Sequence, residues 1–208
     1  MKRARRSPSG FTLIELMVVV TILAVLSIVA ITSYKYYTQR AYAQEGRQLL
    51  MEVKMKQEQY FATYSEYVTA ANGAVAFGSL FPAQKAKASD GSEIEDQFDW
   101  SEMDCANTGG NVAMKGFCDL GFQPQGDSRW RVGTWGWSPA SPALPAVTGI
   151  NGAIGGLISN MDTTQRWYVA VAMRPNTNGQ NDAATGDAQP IIVMTSQHNE
   201  IIYNEVVE

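Results

Sequence analysis

The chain has 208 residues, 45% of them hydrophobic and 17% charged, with a formal net charge of −4. An acidic balance argues against a broad nucleic-acid-binding surface. Two cysteines and one histidine make a poor zinc site, and the length allows one modest soluble core beside a long apolar segment.

Met1 to Gly10 form a short leader holding Lys2, Arg3, Arg5 and Arg6 and no acid, so the remainder of the chain sums to −8. Phe11 to Ile31 follow, about 21 residues whose apolar character is broken only by Thr12, Glu15, Thr21 and Ser27. At ~1.5 Å per residue such a helix reaches ~30 Å, enough for a bilayer core. The cationic leader keeps to the cytoplasm by the positive-inside rule, against weak opposition from Lys35 and Arg40. A secretory signal would have a shorter apolar core and a small-residue cleavage site beyond it; Ala24 and Ala30 do not make one. Glu15 is the telling residue, because a carboxylate within a membrane segment is costly and usually functional.

The run Gly10-Phe11-Thr12-Leu13-Ile14-Glu15-Leu16-Met17-Val18-Val19-Val20 behind that leader closely resembles the class III signal of type IV pilins and related filament subunits. The resemblance continues to about Tyr67, through Tyr34 to Ala41, Glu45-Gly46 and Gln57 to Phe61. It implies cleavage between Gly10 and Phe11 by a prepilin peptidase and N-methylation of the new Phe11 amine. It also implies a filament register in which Glu15 meets the Phe11 amine of a neighbouring chain. A lone carboxylate in a dry helical core otherwise has to find another cation or take up a proton. The implied partners are other copies of the chain, other pilins, the peptidase, an inner-membrane assembly platform with its ATPase, and membrane lipid before assembly. The implied location is the inner membrane with the head in the periplasm, then a cell-surface filament. Ala24 and Thr32 stand where relatives often have glycine and proline, and both are easier to keep helical.

Tyr34, Tyr37, Ala41, Leu49, Val53, Tyr60 and Tyr64 recur at spacings compatible with one helical face. A helix from Thr12 to about Phe61 would be ~75 Å long, too long to be buried in a domain of this size. Its first half needs lipid, and later other subunits, to cover it. The tyrosines near Tyr34 suit the depth of a membrane interface.

The expected division is a leader 1–10, a long helix 11–61 with a transmembrane half 11–33, and a β-rich head 62–208. Within the head, 72–128 reads as mostly connector. Strands are expected over Gly116 to Phe122, Ser128 to Thr134, Gln165 to Met173, Gln189 to Ser196 and Ile201 to Val207, with a tight turn at His198-Asn199-Glu200. The fold class is α+β: the pilin fold, with an antiparallel sheet packed on the outer half of the helix. Cys105 and Cys118 are expected as a disulfide, since the head lies outside the cytoplasm. Closing that loop of about 14 residues would contribute ~3 kcal/mol in the chain-entropy view.

Other residues read as surface or packing. The acidic stretch Asp90, Glu93, Glu95, Asp96, Asp99, Glu102 and Asp104 lacks the spacing of a calcium loop. Asn181, Asp182 and Asp187 fall in a long polar loop, 176–190. Lys85, Lys87, Arg129 and Arg131 read as solvated cations, and Trp130, Trp135 and Trp137 as packing rather than an adhesive patch. No nucleophile elbow, phosphate loop or zinc motif appears, so neither an enzyme nor a cofactor is expected. Three roles follow. The first is a type IV pilus subunit serving adhesion, motility or DNA uptake. The second is a type II secretion pseudopilin, and the third a minor tip pilin acting as an adhesin.

Overall fold

The computed structural model describes residues 12–83, 85–87, 93–101, 103–148, 152–174, 190–198 and 202–204. By their contacts they fall into two units, Met1–Tyr42 and Ala43–Glu208. Helix α1 (Leu13–Tyr64) supplies all the regular structure of the first and opens the second. It ends three residues beyond the expected Phe61.

In the first unit, α1 is unbroken through Ala24 and Thr32. The hydroxyls of Thr21 and Ser27 donate to the Val18 and Leu23 carbonyls at 2.8 and 2.7 Å. Two polar residues are thereby satisfied within the helix and leave its outer surface apolar.

The second unit is built on a four-stranded antiparallel sheet. Its strands are β4 (Arg131–Gly136), β5 (Tyr168–Met173), β6 (Ile191–Thr195) and β7 (Ile202–Asn204), in the order β4-β5-β6-β7. Thr134 pairs with Ala170, and Ala170 with Met194. Every residue of β4, β5 and β6 is buried, the pattern of a sheet covered on both faces. Alternate residues serve different layers. Tyr168, Ala170, Ala172, Ile192 and Met194 pack with Leu50 and Val53 of α1 and with Trp100, Phe117 and Trp130. Val169, Val171, Met173 and Val193 pack on the other face with Ala71, Val75, Leu80, Ile154 and Ile158. The last two come from α3 (Gly152–Ser159), a helix absent from the expected elements.

The free edge of β4 is sealed by the chain that leaves α1. Ala70 N donates to Thr134 O at 2.7 Å, and Phe81 and Val132 exchange hydrogen bonds at 2.9 and 2.7 Å. An edge covered in this way offers no template for strand addition.

The stretch 72–128, expected as mostly connector, carries regular structure. It holds β1 (Lys85–Lys87), β2 (Glu93–Asp99) and β3 (Asp127–Ser128), which form a small antiparallel sheet, and helix α2 (Val112–Leu120). Helix α2 overturns the strand expected over Gly116 to Phe122. Asn111 caps its start, accepting from Met114 N at 3.1 Å, and Gly121 closes its end at φ +63°. The buried positions Ala113, Gly116, Phe117 and Leu120 keep helical spacing.

The strand expected over Ser128 to Thr134 is divided between two sheets, because the chain turns after Ser128. At that turn Glu45 Oε1 accepts from Ser128 Oγ at 2.8 Å and from Arg129 N at 3.0 Å. The strands expected from Gln165 and Gln189 begin at Tyr168 and Ile191. Of the last expected strand, Ile202–Asn204 is seen, and the rest lies outside the described residues, as do Asn199 and Glu200 of the expected turn.

Candidate assembly site at the start of the long helix

Helix α1 opens with a reciprocal cap between Thr12 and Glu15. Glu15 N donates to Thr12 Oγ1 at 3.3 Å; Glu15 Oε2 accepts from Thr12 N at 2.9 Å and from Thr12 Oγ1 at 2.8 Å. This is a capping box, in which orphan donors of the first turn are satisfied locally. It gives Glu15 a structural role that its rarity in an apolar segment did not suggest. The signal was present as Thr12-Leu13-Ile14-Glu15, a hydroxyl residue followed three positions later by glutamate.

Beyond the cap, the helix presents apolar side chains on all sides. From Leu13 to Ile31 each large hydrophobic residue is more than half exposed, from 52% at Val18 to 81% at Leu13. Such a surface, about 20 residues long, has the length and composition to cross a membrane. Exposed apolar area on that scale marks a surface that something else covers. Gly10 and Phe11, the expected cleavage and methylation residues, lie outside the described residues.

The prokaryotic N-terminal methylation motif, as a family model, matches residues 5–31. The chain carries the type IV pilin/prepilin signature. That match takes in part of the basic leader, Gly10-Phe11, the capping box and the apolar run. It is a signature of structural pilins rather than of an enzyme family, and it covers pilin-like and pseudopilin proteins alike. With the apolar helix, it fits a membrane-anchored precursor that becomes part of a surface filament. No solved structure gives a significant match to the chain.

The other residues of interest in this pilin-like chain are placed as follows. A disulfide joins Cys105 to Cys118, tying the loop before α2 to that helix with the Cα atoms 5.5 Å apart. Trp130 and Trp135 are core residues, and Trp135 Nε1 donates to Gly73 O at 2.6 Å. Trp137 is half-buried beneath the Arg166 guanidinium, which also lies over Phe61.

Arg131 corrects the reading of a solvated cation. It is buried, its Nε donates to Pro82 O at 2.7 Å, its Nη2 donates to Leu80 O, and its guanidinium lies over the rings of Phe77 and Phe98. Burial pushes the guanidinium down to about 10, so it stays cationic near neutral pH. The Lys85 and Lys87 side chains lie outside the described residues, as do those of Asp90, Glu93, Glu95, Asp96 and Glu102 and all of 175–189. Among the described residues no cluster of three metal-ligating side chains occurs.

His198 Nδ1 lies 3.3 Å from Thr195 Oγ1, and the same oxygen accepts the His198 backbone N–H at 3.0 Å, so the two residues close a turn.

Proposed function

We propose that this chain is a structural subunit of a type IV pilus-type filament. One observation carries the reading. A surface more than half exposed at every large hydrophobic residue from Leu13 to Ile31, opened by a single carboxylate, lies within the prepilin motif. A lone copy leaves that surface in water at large cost; lipid covers it in the precursor, and like helices cover it in a filament. The precursor sits in the inner membrane, its leader in the cytoplasm by the positive-inside rule and its head in the periplasm. A prepilin peptidase cuts between Gly10 and Phe11, and the Phe11 amine is methylated. Extraction from lipid is driven by an external platform and its ATPase. In the filament Glu15 pairs with the Phe11 amine of a neighbour, and that contact sets the axial register.

The test is to shear surface filaments from source cells and identify their subunits and N-terminal peptides by mass spectrometry. An abundant chain beginning at methylated Phe11 is expected for a main subunit, and a trace amount for a minor tip subunit. Absence from filaments, with the processed chain in the inner membrane, would overturn the reading in favour of a secretion pseudopilin.

A further inference from the structure

Immediately beyond the apolar run, α1 carries three exposed tyrosines. Tyr34, Tyr36 and Tyr37 are 70%, 58% and 72% exposed. At ~100° per residue Tyr37 lies ~100° from Tyr36 and ~60° from Tyr34, so the three rings fan over ~160° of the helix circumference at nearly one depth. They therefore form a half-girdle rather than a narrow stripe. The head-group zone of a bilayer favours aromatic rings with one polar end and meets them on every bearing. Arg40 stands within the same arc, one turn further out. Its guanidinium lies 4.3 Å from the centroid of the Tyr36 ring and its Nη2 donates to the Tyr36 hydroxyl. A cation held there is placed to meet lipid phosphate.

The other end of the apolar run is fixed independently. Thr12 is the cap and Leu13 the first helical residue, so the first-turn N–H groups lie between 12 and 16. Hydrocarbon does not accept unpaired backbone donors, so this turn belongs at a boundary where the cap and water satisfy them. Tyr34 follows Glu15 by 19 residues and Tyr37 by 22, about 29 and 33 Å along a helix. The hydrocarbon core is ~30 Å thick. Girdle and cap thus match the two faces of one bilayer.

We infer that the half-girdle of Tyr34, Tyr36, Tyr37 and Arg40 binds the lipid head-group zone and sets the depth of the precursor, holding Glu15 at the opposite boundary. This rests on the membrane-embedded precursor proposed above. In that position the Glu15 carboxylate keeps its cap and its water, on the same side as the leader cations. It enters dry surroundings only when the helix is drawn out of the membrane. The costly carboxylate is therefore tolerated before assembly without a partner.

The experiment uses the full chain reconstituted in phosphatidylethanolamine–phosphatidylglycerol vesicles. Single cysteines are introduced at Met17 (M17C) or Ala41 (A41C) and spin-labelled; the chain's own Cys105 and Cys118 are bonded to each other. Label depth is read from collision with oxygen against a water-soluble nickel chelate. In the parent chain both labels are expected in or next to the head-group zones, on opposite sides. Replacing all three tyrosines (Tyr34→Ala, Tyr36→Ala, Tyr37→Ala) should move the label at 41 deeper and the label at 17 shallower. The expected shift is roughly 3–5 Å, under one helical turn. Replacing them with tryptophan should restore both depths. Unchanged depths in the alanine variant, with the helix inserted, would overturn the girdle alone. A parent chain that does not insert would overturn the girdle and the membrane-embedded precursor together.

Discussion

The side chain of Gln57 behaves as a strand partner for the backbone of Val68. Its Oε1 accepts from Val68 N at 3.0 Å and its Nε2 donates to Val68 O at 2.7 Å, while Nε2 also donates to Thr134 Oγ1 at 2.9 Å. Gln57 is fully buried on α1. One amide therefore ties the helix both to the segment that leaves it and to β4, and it satisfies backbone groups that no strand reaches. Gln57→Leu keeps the bulk and removes every one of these bonds. Orphaned buried donors and acceptors cost about 1–3 kcal/mol each, so a loss of roughly 3 kcal/mol is expected. Urea unfolding of the detergent-solubilised chain, followed by near-ultraviolet circular dichroism, measures it. A loss below about 1 kcal/mol would show that water replaces the amide.

Two glycines set close approaches that alanine should break to different degrees. A Cβ on Gly46 would come within 2.7 Å of the Trp130 ring and 2.8 Å of Ile192 Cδ1, so Gly46 lets α1 approach the sheet. A Cβ on Gly116 would fall on the Thr69 carbonyl oxygen and the Ala70 Cα, which are backbone. Side chains can shift by a few tenths of an ångström and backbone much less, so Gly116→Ala is expected to destabilise more than Gly46→Ala. Overpacking costs ~1–3 kcal/mol. Both glycines lie inside helices, so a gain of up to ~1 kcal/mol in helix propensity offsets part of that at each and leaves the ranking to the contacts. Thermal unfolding of the two variants ranks them, and the reverse order would contradict this account.

How far these features can be read from sequence depends on whether they are local. The methylation motif, the apolar run and the Thr12–Glu15 cap are each written in a few neighbouring residues. Tyr168–Met173 and Ile191–Met194 are unbroken apolar runs that can be nothing but buried strands or short helices. Gly116 to Phe122 reads as a strand from its short apolar content, although Asn111 and Gly121 bracket a helix as caps. Gln57 and Arg131 could not be recognised. Gln57 finds Thr134 77 residues on, and Arg131 finds Pro82 49 residues back, and nothing near either marks a polar group as buried.

Glu15 has two roles that one substitution can separate. Glutamine serves as well as glutamate at the third position of a capping box, so Glu15→Gln keeps the cap with Thr12 and removes the charge. If Glu15 sets the register by pairing with a neighbouring Phe11 amine, Glu15→Gln should reduce sheared filament about as severely as Glu15→Ala. The amount of precursor in the membrane should be unchanged in both. Normal filament from Glu15→Gln alongside loss in Glu15→Ala would move the role of Glu15 from charge to capping.

The disulfide between Cys105 and Cys118 closes a loop of 13 residues separation that includes most of α2. In the chain-entropy view a loop of that size contributes ~3 kcal/mol. Cys105→Ser with Cys118→Ser should lower the urea midpoint without changing the secondary structure of the remaining head, because Phe117 and Leu120 still hold α2 to the core. The far-ultraviolet spectrum and the midpoint together check this. Loss of helical signal at zero urea would show that α2 depends on the covalent tie.

Tyr168 should be a source of alkaline instability. Its ring is fully buried against Tyr67, with centroids 5.0 Å apart, and its hydroxyl has no hydrogen-bond partner among the described residues. Burial, reinforced by Glu58 and Tyr67, raises its ionisation well above the ordinary value of 10.0. The folded chain thus holds this proton more tightly than the unfolded chain. The corresponding stability is fully present below pH 10 and is lost progressively as pH rises above it. Tyr168→Phe removes both the unpaired hydroxyl and the titration. At neutral pH it should be neutral or stabilising by about 1 kcal/mol. Between pH 10 and 12 its stability should fall less steeply than that of the parent, with Tyr67, also raised by burial, accounting for part of the slope that remains. Urea midpoints measured at pH 7, 10 and 11 decide the matter. Parallel curves for parent and variant would show that the buried hydroxyl is hydrated in solution.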